Sequence, residues 1–115
     1  MSQRARRALP ARVDDIASVF SALGDDTRLK LVSTLSARGA MSITQLTAGT
    51  AHTRQAVTKH LRVLCSAGLV QDEKSGRERL WKFEPEALKK ARRSLDNIAA
   101  QWDGALERLR RAVEE

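Results

Sequence analysis

The segment that most constrains the fold spans residues 52–70 and reads HTRQAVTKHLRVLCSAGLV. Its apolar residues Val57, Leu61 and Leu64 recur at intervals of three and four, which predicts a helix buried along one side. The opposite side carries Thr, Arg, Gln, Lys and His, and the whole segment contains no acid. A helix that meets only solvent more often mixes Glu with Lys, so this composition favours contact with an anionic surface.

A shorter helix precedes this segment, and a tight turn separates the two. Ser42 followed three residues later by Gln45 is the signature of a capping box, which predicts that a helix begins there. Gly49 interrupts that helix, and Thr53 is placed to cap the next one. Two short helices joined by a turn that contains glycine predict a helix-turn-helix, although such helix pairs are also common in proteins that do not bind DNA.

The residues that follow strengthen the DNA-binding interpretation. The stretch LVQDEKSGRERLWKF, residues 69–83, predicts two strands around a turn at Ser75 and Gly76. Its basic side chains flank the turn, and Trp81 is expected to fix the hairpin to the body of the domain. A hairpin directly after a helix-turn-helix predicts a winged helix, so the expected fold class is mainly α with a small β-hairpin.

Two helices are predicted before the helix-turn-helix. The first begins near Val13 and shows apolar residues at helical spacing. The second has Asp25 as its N-cap, is expected to bury Leu29, either Leu31 or Val32, and Leu35, and ends near Gly39.

The last helix is predicted to begin at Pro85 and to be roughly 40 Å long at 1.5 Å per residue. Its apolar residues repeat for about four heptads, and a domain of this size cannot cover all of them. We therefore expect the same helix of a second chain to cover them, with folding back over its own core as the alternative. The predicted dimer interface consists of Val13, Ile16, Phe20, Leu95, Ile98, Trp102, Leu106 and Leu109.

The chain has 115 residues and a net charge of +7, which suits one domain with a polyanionic partner. Residues 1–12 contain four arginines and no acid, so we expect a flexible basic arm there and one winged-helix domain over 13–115. The arm is expected either to contact phosphate or to remain a solvated tail. No stretch of residues reaches the ~20 apolar positions of a membrane span, and no catalytic motif is present. We expect a cytoplasmic protein that is not an enzyme and holds no cofactor.

At this point the sequence resembles the ArsR/SmtB family of winged-helix repressors. The resemblance rests on ALGDDTRLKLVSTL, SITQLTAGT, TRQAVTKHLRVLCSAGLV and GRERLWKFEPEAL, in that order. It implies a homodimeric, DNA-binding transcriptional repressor that pairs through its first and last helices.

The resemblance fails at the metal ligands of the best-known family members. Their third helix carries a cysteine-containing motif, where this chain has MSITQL. Other members bind metal with His and acids on the last helix, and the last helix here contains acids but no histidine. His52, His60 and Cys65 are the remaining candidates for a soft metal, and two of them lie on the predicted recognition helix. We therefore expect no metal site. The chain looks more like the branch of the family without one, some of whose members repress their own operons.

The start of the recognition helix is predicted to reach base edges in the major groove of a palindromic operator. Arg54 can bond guanine, and Gln55 can bond adenine, whereas Thr53 caps the helix with or without a phosphate contact. The expected DNA contacts are Thr53, Arg54, Gln55, Thr58, Lys59, His60 and Arg62 of the helix with Arg77 and Arg79 of the hairpin.

Several of these residues have a second interpretation. His60 is equally compatible with a structural hydrogen bond, and His52 is expected to be polar turn filler. Arg77 and Arg79 favour phosphate contact because Glu78 between them opposes deep insertion into a groove. Cys65 is expected to be partly buried, with a redox switch beside the recognition helix as the sharper alternative.

Two other functions compete with sequence-specific repression. A protein-interaction module would use the long apolar helix as its docking surface. A non-specific nucleic-acid binder would depend on the net charge and the basic arm.

Overall fold

The computed structural model describes the backbone of residues 10–114 and the side chains of residues 16–114. Five helices and three short strands follow one another in this part of the chain. They are α1 (Pro10–Leu23), α2 (Asp26–Arg38), β1 (Met41–Ser42), α3 (Ile43–Ala48), α4 (Arg54–Ser66), β2 (Val70–Ser75), β3 (Glu78–Phe83) and α5 (Pro85–Glu114).

Helix α1 begins three residues before the predicted start at Val13, inside the segment that the sequence assigned to the basic arm. Proline is favoured in the first turn of a helix because its missing N–H has no partner there, which explains the start at Pro10. Residues 1–9 of the predicted arm lie outside the described residues, as does the side chain of Val13.

The three predicted helix caps are confirmed. The Asp25 carboxylate accepts the backbone N–H of Arg28 at 3.0 Å, and the Thr53 hydroxyl accepts that of Ala56 at 3.1 Å. Ser42 and Gln45 form both bonds of the capping box, at 3.2 and 3.0 Å. Each cap satisfies a backbone donor that the first turn of a helix leaves free, so the helix starts are fixed by local sequence.

The core forms where α4 crosses α2, α3 and the sheet. Val57, Leu61 and Leu64 have no exposed surface, as their spacing predicted. Leu29 was wrongly predicted to be buried and is 49% exposed, because α2 directs a different arc of its surface inward. The core consists of Val19, Ala22, Leu31, Val32, Leu35, Leu46, Val57, Leu61, Leu64, Leu69, Val70, Trp81 and Ala91.

The predicted hairpin is confirmed, but it belongs to a three-stranded antiparallel sheet with the order β1-β3-β2. Strand β1 was missed because it is only two residues long, with Met41 opposite Trp81. The turn lies one residue later than predicted, at Gly76 and Arg77, and Gly76 adopts a positive φ of 63° that glycine tolerates best. The tip of the wing therefore presents Arg77 within the turn itself.

Helix α5 has 30 residues and is about 45 Å long. Its first turns pack against the core and α1 through Ala87, Leu88 and Ala91, and the apolar side chains after Ala91 stay largely exposed. We call the row Leu95, Ile98, Trp102, Leu106, Leu109 and Val113 the apolar stripe. None of the helices described is long and apolar enough to cross a membrane.

Candidate nucleic-acid interface

An open groove of about 830 Å³ separates α4 from the wing formed by β2 and β3. Arg54, Thr58 and Arg62 line it from α4, because residues four apart share one face of a helix. Arg77 and Arg79 line it from the wing. We call these five residues the cationic groove. These four guanidinium groups outnumber the two carboxylates of the same channel, Asp72 and Glu78, and the remaining positive charge suits a phosphate backbone.

The predicted contacts of α4 other than His60 lie in or beside the cationic groove. Gln55 and Lys59 are exposed on the neighbouring face of the helix, where they are free to reach a ligand in front of α4. The Thr58 hydroxyl donates to the Arg54 carbonyl at 2.8 Å, so it can only accept from a further partner. The Thr53 hydroxyl is used as the cap described above.

The wing contains acids that pair with some of its bases. Asp72 lies 3.3 Å from Arg79, and Glu73 lies 3.4 Å from Lys82. Arg77 forms no ion pair with any side chain that the structure describes. Lys74 of the wing is likewise without an ion pair among the described side chains, but it does not line the cationic groove. Arg77 is therefore the unpaired wing cation that faces the groove.

His60 is turned away from the cationic groove and toward the start of α2. Its side chain is 23% exposed, and its Nδ1 lies 3.4 Å from Nη1 of Arg28 and 3.8 Å from the Asp25 carboxylate. This geometry favours the structural alternative for His60 over a DNA contact. The pKa of Asp25 is lowered mainly by the hydrogen bond from the Arg28 backbone, with a smaller contribution from the Arg28 charge and His60.

The prediction that His52 is only polar turn filler is wrong. Its Nε2 hydrogen-bonds to the Thr27 hydroxyl at 3.0 Å, which ties the turn of the helix-turn-helix to α2. Its ring also meets the His60 ring edge to face, with centroids 6.2 Å apart. Both histidines therefore contact side chains of α2, His52 from the turn and His60 from α4.

The prediction that Cys65 is partly buried is also wrong. Cys65 is exposed and lines the same channel, because the inward direction of Leu64 places the next residue on the outer side of the helix. No group of three or more His, Cys, Asp or Glu side chains is arranged to hold a metal within the described part of the chain.

Sequence reasoning missed the contribution of α3 and of Asp72 to this channel. Ser42, Ile43 and Thr44 line it because β1 pairs with β3 and brings the start of α3 beside the wing. Asp72 and Glu78 line it as well. The two-residue strand gave no periodicity from which this arrangement could have been found.

Comparisons with known proteins agree with this geometry. A family model described as a helix-turn-helix domain matches residues 23–73. The HTH-type transcriptional regulator YuzN of Bacillus subtilis is 40% identical over 78 residues, which cover 63% of this chain and 85% of that protein. The HTH-type transcriptional regulator Rv2034 of Mycobacterium tuberculosis is 36% identical over 87 residues, covering 76% and 78%. The solved structure of an ArsR-like transcriptional regulator from Rhodococcus sp. RHA1 superposes with a TM-score of 0.80 at 36% identity, covering 86% of this chain and 92% of that one.

Proposed function

The chain belongs to the ArsR family of winged helix-turn-helix transcriptional regulators, and we propose that it acts as a homodimeric repressor of a palindromic operator. The observation that carries this proposal is the cationic groove, in which arginines from two separate elements face one channel. A duplex seated there places bases in front of α4 and its backbone against the wing.

The amino end of α4 supplies base recognition in this proposal. Arg54 and Gln55 are exposed in its first turn and reach base edges in the major groove, each for roughly 1–3 kcal/mol of discrimination. Arg62 lies two turns further along and contacts phosphate, and Lys59 does so from the neighbouring face. Thr53 remains a cap whose backbone and hydroxyl lie close to the DNA, and Thr58 accepts from its remaining lone pair.

The wing supplies backbone contacts. Arg77 approaches phosphate directly, whereas the charge of Arg79 is partly neutralised by its ion pair with Asp72. Glu78 within the same hairpin opposes insertion between base edges, so phosphate contact is the favoured role for both arginines.

The apolar stripe supports the dimer. Trp102 is 66% exposed and Leu109 is 62% exposed, and a soluble protein rarely leaves such a long row of large apolar side chains in water. A second copy of α5, aided by Ile16 and Phe20 of α1, covers the stripe. Two α4 helices about 34 Å apart then read successive major grooves, and the bound dimer blocks polymerase access.

Regulation without a metal is part of the proposal. His52 and His60 already bond to Thr27 and Arg28, and Cys65 is the single thiol of the chain. Because Cys65 lies beside the DNA-binding residues, its oxidation by a peroxide would release the operator; the thiol becomes a sulfenic acid and the peroxide is reduced to water or an alcohol. The chromosome is the partner, so we place the protein in the cytoplasm.

Selection of bound sequences from a random duplex pool tests the proposal most directly. We expect a symmetric site whose half-sites lie about 10 base pairs apart. Arg54→Ala and Gln55→Ala should relax base preference at individual positions, whereas Arg62→Ala should weaken binding to every sequence. Lys89→Met removes a base from the exposed side of α5 and serves as the control for net charge. Recovery of no preferred sequence, or of an asymmetric one, contradicts the proposal.

The exposed stripe also fits a protein-interaction module, in which a different partner covers α5. Sedimentation together with duplex-binding measurements distinguishes the repressor from the interaction module and from a non-specific binder. A monomer that binds no duplex at low salt selects the interaction module, and equal affinity for selected and random duplexes selects non-specific binding.

A further inference from the structure

Arg28 joins three elements of the domain through one side chain. Its Nε donates to the Ala22 carbonyl at 2.7 Å, and its Nη2 donates to the Ser21 carbonyl at 3.3 Å. Its Nη1 meets Nδ1 of His60 at 3.4 Å. The residue itself belongs to α2, the two carbonyls belong to the last turn of α1, and His60 belongs to α4.

The contact with α1 is chemically favourable. The last carbonyls of a helix have no intrahelical partner and carry the negative end of its dipole, so a cation that bonds them stabilises the helix end. The planar guanidinium has several donors in fixed directions and can bond these carbonyls and a third group at once. An ammonium group on a lysine has neither this reach nor this geometry.

The contact with α4 lies on the inner side of the recognition helix. His60 stands between Lys59, which faces outward, and the fully buried Leu61. The charged and titratable side chains that face His60 are Arg28, Asp25 and His52. Asp25 stands 3.8 Å from the ring, so Arg28 is the nearer of the two charged partners.

We propose that Arg28 is a positioning residue for DNA recognition, which fixes the orientation of α4 relative to the carboxyl end of α1. This inference rests on the proposed function, because α1 belongs to the proposed dimer interface and α4 to the proposed DNA interface. Dimerisation fixes the position of α1 in each protomer. Arg28 of the same protomer then fixes the orientation of its recognition helix relative to α1. Loss of Arg28 lets α4 tilt against the bases, whereas the phosphate-binding arginines of the wing, Arg77 and Arg79, stay in place.

The ratio of affinities for the selected operator and for a scrambled duplex of equal length tests this role. A variant that merely unfolds in part lowers both affinities by the same factor, so the ratio is unchanged. A misoriented recognition helix lowers operator affinity more than scrambled-duplex affinity, because base contacts depend on orientation more than phosphate contacts do. We expect Arg28→Met to lower the ratio about tenfold, the effect of one weakened base contact per half-site.

Matched variants complete the experiment. Lys89→Met removes the same charge from outside both interfaces and should leave the ratio unchanged. Arg28→Lys should give an intermediate ratio, because lysine bonds the α1 carbonyls or His60 but not both. His60→Leu removes the acceptor on α4, and the double variant Arg28→Met/His60→Leu should be no worse than the poorer single variant. His60→Leu alone carries the test if Arg28→Met does not fold.

The outcomes separate this inference from the proposed function. A wild-type protein without operator preference overturns the proposed function and this inference together. A preference that Arg28→Met preserves, or a loss of equal size for both duplexes, overturns the role of Arg28 alone. If the double variant lowers the affinity ratio by the product of the two single-variant factors, the role of Arg28 is also overturned, because Arg28 and His60 then act independently.

Discussion

Asp72 and Arg79 form an ion pair of 3.3 Å that runs diagonally across the two strands of the wing. Both side chains are substantially exposed, so the pair contributes little to the stability of the fold. Its effect is on the proposed DNA-binding surface, where it lowers the positive charge that Arg79 presents and holds the side chain along the hairpin. Arg77 in the turn forms no such pair with the side chains described.

The first prediction is that Arg77 contributes more to DNA binding than Arg79 does. Arg77→Ala should weaken binding to all duplexes and flatten the dependence of log affinity on log salt by about one unit per half-site. Arg79→Ala should have a smaller effect on both quantities, and Asp72→Asn should strengthen binding because it frees Arg79. Fluorescence anisotropy with operator and scrambled duplexes over a range of salt concentrations measures all three.

Lys89→Met is the control for this series, because it changes the net charge without touching the wing. Equal losses from Arg77→Ala and Arg79→Ala would show that the ion pair opens freely on DNA, and the ranking would then be wrong.

The second prediction concerns the apolar stripe on α5. Trp102→Glu places a charge on a surface that the dimer would bury, so the dimer dissociation constant should rise at least about a hundredfold. Affinity for the palindromic operator should fall, whereas affinity for a single half-site should change little. Analytical ultracentrifugation and anisotropy measure the two effects.

Ala100→Glu is the matched variant, because it adds the same charge to an exposed position on the opposite side of α5. It should remain dimeric. Dimers of equal strength in both variants would mean that the stripe is not the contact between chains.

The starts of α2, α3 and α4 were predictable because residues within one turn determine them. Caps at Asp25, Ser42 and Thr53 each depend on residues within one turn, and the buried stripe of α4 depends only on helical spacing. The exposed row on α5 followed from its length, since a small domain cannot cover a helix of about 45 Å.

The contacts between elements were not predictable in the same way. Strand β1 exists because β3 lies beside it, and two residues carry no detectable alternation. The bonds from Arg28 to α1 and His60 join positions that are 6, 7 and 32 residues apart, so no local sequence pattern predicts them. Cys65 was misplaced because spacing located the centre of the buried stripe but not its edge.

The third prediction is that Cys65 reacts readily in the free protein and is shielded on the operator. N-ethylmaleimide should label it in the absence of DNA, because the thiol is exposed in the channel between α4 and the wing. The adduct should lower operator affinity about tenfold or more, comparable to loss of a base contact in each half-site. Mass spectrometry follows the labelling, and anisotropy follows the binding.

Cys65→Ser is the control, because it keeps a side chain of similar size but lacks the thiol that the reagent alkylates. It should bind the operator like the wild type before and after treatment. A labelled protein with unchanged affinity would show that DNA does not enter this channel.

The fourth prediction links the cap of α2 to stability in acid. Hydrogen bonding from the Arg28 backbone, and then the Arg28 charge and His60, hold the pKa of Asp25 below its usual value, while partial desolvation opposes them. A carboxyl whose pKa is lower in the folded state stabilises the fold above its unfolded pKa of about 4 and loses that contribution as the pH falls through the folded pKa. The melting temperature should therefore decline over this acidic range, with part of the decline due to Asp25. Glu107, whose pKa is lowered by hydrogen bonds from Arg110 and Arg111, adds the same decline to every variant.

Asp25→Asn and Asp25→Ala isolate this contribution. Asparagine still accepts the Arg28 N–H but does not titrate, so its melting temperature should lie near the wild-type value at neutral pH and fall less in acid. Alanine removes the acceptor, so its melting temperature should be lower at neutral pH and approach that of the wild type as the Asp25 carboxylate is protonated. Circular dichroism melts between about pH 7 and pH 2 give the three curves, a range that extends below the ordinary aspartate pKa of about 4. Parallel curves for the wild type and Asp25→Asn would show that protonation of Asp25 does not weaken the start of α2.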